Sequence, residues 1–430
     1  MAMLPYGKAK HVFSFLLGAF LLQFTIGKQW IHQLITSLVA YAMFHILPFK
    51  QAKFWVPCMA MAYITLGHLH RQYTNYLGWD LDFTGAQMVL TQKLYSMAFN
   101  LYDGELLKKG TPDRATKRCA KFAISEIPGI FEFLGYTFCF SSILAGPAFE
   151  YKIYESAVNG SLMYTPDGKP RGKIPSAVWP TLKPLLISLF FLGTFVAGNG
   201  MFPILDPLDP QNNTPAVIVP EMLAKPFWYR YGYAWIALFF IRGKYYFAWK
   251  NAEGANNIWH AGFQGFEEKT GKELGWENSV NIDILTFETA PNLKIFSAAW
   301  NKKTAHWLAH YVYMRTGGSL TATYGMSAFW HGFYPGYYMF FLSVPIVTTC
   351  ERLGKKKLTS RFGGSAMYDF LCRFSTSLII QNMIMCFQLL AWDWAYAFLK
   401  SQYFFAHIFC FVFYFVVSNM PTPKPAEKKE

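Results

Sequence analysis

The chain has 430 residues, of which 53% are hydrophobic, 19% aromatic and only 15% charged, with a formal net charge of +14. Soluble domains carry about 25% charged residues, so this composition excludes an ordinary soluble globular protein and describes a polytopic membrane protein. The basic residues lie in short clusters between apolar spans rather than on a nucleic-acid-binding module, so cytoplasmic loops and anionic lipid account for the charge.

Taken in chain order, apolar runs at residues 12–26 and 30–47 read as the first two membrane helices, because no small-residue cleavage site follows the first. Further candidates are 54–69, an amphipathic stretch at 83–101, then 127–149, 184–204, 227–241, 316–350, 374–398 and 403–420. With a helix at 304–314 the expectation is an all-α polytopic integral membrane protein of about 10–11 transmembrane or re-entrant helices. The whole of 1–430 reads as a single transmembrane domain ending in a short polar cytoplasmic tail, 421–430, without internal repeats. Seven cysteines without a CxxC spacing read as packing residues, with neither a zinc site nor a disulfide framework.

Charge asymmetry orients the chain. Lys8, Lys10, Lys50 and Lys53 flank the first two runs while only Lys28 lies between them, placing the N-terminus in the cytoplasm. The clusters around Lys108 to Lys121 and Arg352 to Arg361 fall on the same side. The acidic stretch from Asp206 through Asp209 to Glu221, with the sequon Asn212-Asn213-Thr214, reads as lumenal. Placing Lys169, Arg171 and Lys173 in the cytoplasm requires 127–149 to enter and leave on one face.

The longest run without Asp, Glu, Lys or Arg is 316–350, and His331 lies near its middle. An ionisable residue at membrane depth is expensive and marks a functional site by default, although a neighbouring helix could satisfy it. Gly332, Pro335 and Gly336 predict a broken helix there. Such a break must line a cavity or be buried in protein. Before it, Asn301 opens the 304–314 helix and, at 100° per residue, shares a face with Thr304, Leu308, Val312 and Arg315. Read alone, Asn301 fits an N-cap better than a functional role. His306 and His310 point away from it, and with no HExxH and no third ligand they suggest no metal. His68 and His70 read as interfacial, and no GxSxG elbow is present.

Trp330-His331-Gly332, three residues, Gly336-Tyr337, three residues and Phe341 resemble the WHGxxxGYxxxF signature of the membrane-bound O-acyltransferases, in their lysophospholipid acyltransferase branch. Trp300-Asn301-xx-Thr304-xx-Trp307-Leu308 is similar to the WNxxTxxWL block of that branch. Further resemblance lies in Asp82-Phe83-Thr84-Gly85 with Met88 and Lys93, in Tyr102-Asp103-Gly104, in Gly146-Pro147-Ala148-Phe149 and in Asn281-Ile282-Asp283-Ile284. Two departures are Trp276-Glu277, where the branch often has Trp-Asp, and Leu399 for the first Tyr of a block ending in Tyr403, Phe404 and His407.

The resemblance implies an intramembrane reaction chamber with His331 and Asn301 catalytic, and substrate contacts from Trp300, Thr304, Trp330, Gly332, Gly336, Tyr337 and Arg315. It implies acyl-CoA as co-substrate, no permanently bound cofactor or metal, a lysophospholipid acceptor, and a multi-pass protein of the endoplasmic reticulum membrane with no nucleic-acid partner. Lys302 and Lys303 are further candidates for the coenzyme A phosphates. A sterol, a diacylglycerol or a protein as acceptor, and a transporter built around a mid-membrane His, are the alternatives.

Overall fold

The computed structural model describes residues 1, 3–78, 80–205 and 214–421. Asp206, Asp209, the sequon asparagines Asn212 and Asn213 and the expected tail beyond 421 lie outside the described residues. Every long regular element among the described residues is helical, and β-pairing is confined to three isolated bridges. The apolar runs fold as Lys8–Ile26, Ile31–Ile46, Phe49–Thr74, Val178–Met201, Phe227–Asn257, Pro335–Phe362, Ala366–Leu389 and Phe405–Asn419. Lys8–Ile46, Val178–Met201 and Ala366–Leu389 are by themselves long and apolar enough to cross a membrane, and Trp392–Ser401 with Phe405–Asn419, bent by 64°, would make a fourth span.

The long helix Phe227–Asn257 carries a charge that protein surrounds. Arg242, 3% exposed, donates to Glu288 at 2.8 Å and to Gln381 at 2.6 Å. Charge at depth is tolerable on those terms. The 127–149 stretch yields only the helix Ile130–Thr137, eight residues. At 1.5 Å per residue it is about 12 Å long and cannot cross a hydrocarbon core of ~30 Å.

Residues 83–101 read as amphipathic, but the helix Phe83–Lys108 is buried on all sides. Its polar residues point inward to partners. Gln87 Nε2 donates to Thr36 Oγ1 at 3.1 Å, Lys93 Nζ donates to Tyr136 O and Ser142 Oγ at 2.9 Å, and Asn100 Nδ2 donates to Glu150 Oε2 at 2.7 Å. Asp103, with no exposed side-chain surface, receives the Arg315 guanidinium at 2.6 Å and the Thr116 hydroxyl at 2.8 Å. An alternating polar pattern therefore marks an inner polar spine rather than a water-facing stripe.

The break expected near Gly332 is present. Ser319 caps Leu320–His331 by accepting the Ala322 N–H at 3.2 Å. The helix stops because Gly332 takes φ 118, which a residue with a Cβ rarely adopts. The next helix, Pro335–Phe362, starts on a proline, which has no N–H to leave unpaired. A second break lies opposite, where Leu390 at φ 63 separates Ala366–Leu389 from Trp392–Ser401. The Gly336 N–H donates to Leu390 O at 2.7 Å, and a Cβ on Gly336 would sit 2.2 Å from Cys386 O and 2.9 Å from Leu390 Cα. The two breaks lock together through a contact that only glycine permits.

Gly336→Ala should therefore lower the thermal midpoint of the purified protein by an amount at or above the upper end of the ~1–3 kcal/mol typical of overpacking. Gly193→Ala, whose Cβ meets nothing within 4 Å, should leave it unchanged. Asp103→Ala strands a guanidinium that is 12% exposed and should cost about 3–5 kcal/mol in the same assay. The pair Asp103→Leu with Arg315→Leu should recover much of that loss.

Candidate active site

His331 is the last residue of its helix, and four aromatic rings enclose it. Trp330 lies 4.7 Å away between centroids, Tyr337 5.4 Å, Phe341 5.2 Å and nearly parallel at 25°, and Phe387 5.0 Å and edge-on at 88°. The imidazole is half-buried, and neither ring nitrogen bonds to protein among the described residues. A histidine merely satisfied by a neighbouring helix would show such a bond.

The backbone beneath the ring is held firmly. His68 Nε2 donates to Trp330 O at 3.1 Å, and its Cγ lies 3.2 Å from where a Cβ on Gly332 would stand. His68, expected at the interface, thus belongs to the floor of the site, while His70 is exposed as expected. Trp330 Nε1 donates to Met88 O at 3.0 Å, and the Trp330 ring packs 5.9 Å from Trp307. That contact joins the His331 helix to the segment that carries Asn301.

Asn301 precedes the helix Lys302–Trp307 in the left-handed conformation, φ 42 and ψ 53, and its side chain makes no capping bond. Asn281 supplies the cap instead. Its Oδ1 accepts the Lys303 N–H at 3.0 Å, its carbonyl accepts the Lys302 N–H at 2.8 Å, and its Nδ2 donates to Asn301 Oδ1 at 3.1 Å. On the next turn Thr304 receives Gln92 Nε2 at 2.9 Å. Trp300 fills an aromatic cluster 4.8 Å from both Trp249 and Phe287. Beyond Trp307 the helix widens into a π turn over Leu308–Tyr313, so face arithmetic at 100° per residue fails there. Arg315 accordingly turns to Asp103 rather than toward Asn301.

Of the residues singled out from sequence, His331, Trp330, Gly332, Gly336 and Tyr337 converge on one break, and Trp300, Asn301 and Thr304 on the adjoining turn. Arg315 stands apart in its ion pair. Lys302 pairs with Glu277 at 3.1 Å, at the rim of a cleft of about 730 Å³ that also takes in Lys183, Lys250, Glu253 and Glu288. Desolvation first, then the Lys302 charge, push the Lys303 ammonium down to about 8, which weakens it as a phosphate ligand above that pH. His306 lies 3.2 Å from Glu150 and its ring 3.8 Å from His310, and no metal-holding group of His, Cys, Asp or Glu occurs among the described residues. Reading the sequence by motif missed Asn281, Gln92, His68 and Phe387. Asn281 lay within a quoted block, but its partner is a tertiary contact with no signal in spacing.

The model of the membrane-bound O-acyltransferase family matches residues 69–392, a range that contains both the break and the Asn301 turn. The chain is similar to the lysophospholipid acyltransferase 6 of Drosophila melanogaster, 31% identical over 95% of this chain but only 57% of that relative. It is also similar to the lysophospholipid acyltransferase of Schizosaccharomyces pombe, 31% identical over 85% of this chain and 73% of the relative. With the human membrane-bound glycerophospholipid O-acyltransferase 2 it shares 29% identity over 98% of its length and 80% of the relative. An all-helical membrane fold, a histidine at a helix break and this matched range together place the chain in the membrane-bound O-acyltransferase family.

Proposed function

We propose that this protein transfers a fatty acyl group from acyl-CoA to the free hydroxyl of a lysophospholipid, with His331 as general base and Asn301 as a stabilising amide. The observation that carries this reading is the unbonded His331 imidazole inside an aromatic cage at a helix break, in a chain of an O-acyltransferase family. The lysophospholipid acyltransferases among its relatives support that acceptor class.

A lipid hydroxyl is a weak nucleophile until a base takes its proton during attack. His331 accepts that proton as the hydroxyl oxygen bonds to the thioester carbonyl carbon. Charge gathers on the carbonyl oxygen, where an amide donor stabilises it. The C–S bond then breaks, the electron pair leaves on sulfur, and the imidazolium returns the proton to the coenzyme A thiolate. Water must be kept out, since it competes with the lipid for the acyl group. Trp330, Tyr337, Phe341 and Phe387 line the imidazole with surface that holds little water. The acyl-CoA donor would arrive from the cytosol and the lipid sideways from an endoplasmic reticulum bilayer; the cleft beside Lys302 mixes lysines with Glu253, Glu277, Asp283 and Glu288, so it does not by itself mark the phosphate route.

His331→Ala should abolish transfer of labelled acyl chains while leaving expression and the thermal midpoint unchanged. Turnover near wild type would remove the base from the mechanism. The wild-type protein tested with lysophospholipids, sterol, diacylglycerol and peptide should acylate only the first. In sealed microsomes, protease should cut tags placed near Lys269 and after Lys429 and spare one at Asp209. The reverse pattern inverts the topology.

A further inference from the structure

Asn281 is 1% exposed, and all three of its hydrogen-bonding groups described above face a single turn, Trp300 to Lys303. The chain on either side is tied down as well, since the Asp283 N–H donates to Ala299 O at 3.0 Å. The bonds Asn281 makes to the Lys302 and Lys303 N–H groups are those a helix normally takes from its own N-cap. Asn301 is thereby relieved of capping.

An amide side chain is asymmetric, with an oxygen that only accepts and a nitrogen that only donates. The orientation of Asn281 is set by the Lys303 backbone N–H, which can only donate and so must face Oδ1. Its other end is therefore Nδ2, and the Asn301 atom that meets it must be the oxygen. Asn301 Nδ2 has no protein partner among the described residues. What Asn301 has left to offer a substrate is a pair of N–H donors.

We infer that Asn281 is a positioning residue that locks the Asn301 amide with its donor end free, making Asn301 an oxyanion donor to the thioester rather than an acceptor that orients His331. This rests on the acyl-transfer reading above. Asn281→Asp separates the two duties of the side chain. The carboxylate still accepts the Lys303 N–H, but its second oxygen faces Asn301 Oδ1 and rotates the amide so that an oxygen points at the substrate.

The test uses the full chain in nanodiscs, with acyl-CoA and a lysophospholipid, and reads kcat, both KM values and the thermal midpoint. Asn281→Asp should lower kcat by about a hundredfold, the scale of losing one oxyanion donor, with both KM values unchanged and the midpoint close to wild type. Asn301→Asp, which keeps the acceptor toward Asn281 and removes the N–H donors, should lose as much kcat as Asn301→Ala. Adding Asn281→Asp to Asn301→Ala should cost no further kcat, because the first residue acts only through the second. Wild-type kcat in Asn281→Asp, full activity in Asn301→Asp, or a further loss in the double variant each overturns the inference. Should Asn281→Asp fail to fold, the Asn301→Asp comparison still decides whether the donor end is the one used. Absence of any acyl transfer by the wild-type protein would instead overturn the functional reading itself.

Discussion

A helix that stops inside a membrane core must find partners for its last carbonyls and for the first N–H groups of the helix that follows, because hydrocarbon offers none. That requirement shapes the centre of this molecule. Gly332 N–H reaches back to Ala328 O and Phe329 O, both at 3.2 Å, Trp330 O is taken by His68, and the Gly336 N–H is taken by Leu390 O. Apart from the helix's own last turn, these partners come from distant parts of the chain, His68 and Leu390. The break is consequently held by three helices, and the residue at its tip, His331, is fixed while its ring stays free.

The same economy governs the polar interior. The Phe83–Lys108 helix presents amides, a lysine and an aspartate to partners on neighbouring elements, among them Glu150, which also receives Tyr311 Oη at 2.9 Å, while the Gln87 amide oxygen has no partner among the described residues. Leaving any one of these unpaired would cost more than the bond itself contributes. Such a network holds neighbouring elements in one register. Through Gln92 and Thr304 it reaches the turn that carries Asn301, and through Met88 and Trp330 it reaches His331.

The two catalytic candidates thus stand on separate supports that meet at the Trp307–Trp330 contact, and neither makes a hydrogen bond to the other among the described residues. A base and an oxyanion donor need not touch. They need to flank one carbonyl, one acting on the attacking hydroxyl and the other on the developing charge. On the acyl-transfer reading proposed above, independent anchoring would keep each group in place while the substrate changes shape between them.

The amino-acid sequence by itself determined the helical membrane class, the run that contains His331, the break after it and the family of the chain. These are local or compositional properties: apolar length against bilayer thickness, glycine and proline against helix continuity, and a spaced motif. It misjudged the 83–101 stretch, because a periodic pattern records that one face is polar without saying whether water or protein lies against it. It also carried a regular helix across Leu308–Tyr313, where a π turn redirects Arg315 to Asp103. Only the tertiary structure decided which residue caps the Asn301 helix, which carbonyl receives Gly336, and that His68 lies under Trp330. Those bonds join residues 22, 54 and 262 positions apart, and in a dry interior the partner of each polar group is set by which atoms the fold brings within about 3 Å, a quantity that no local pattern encodes.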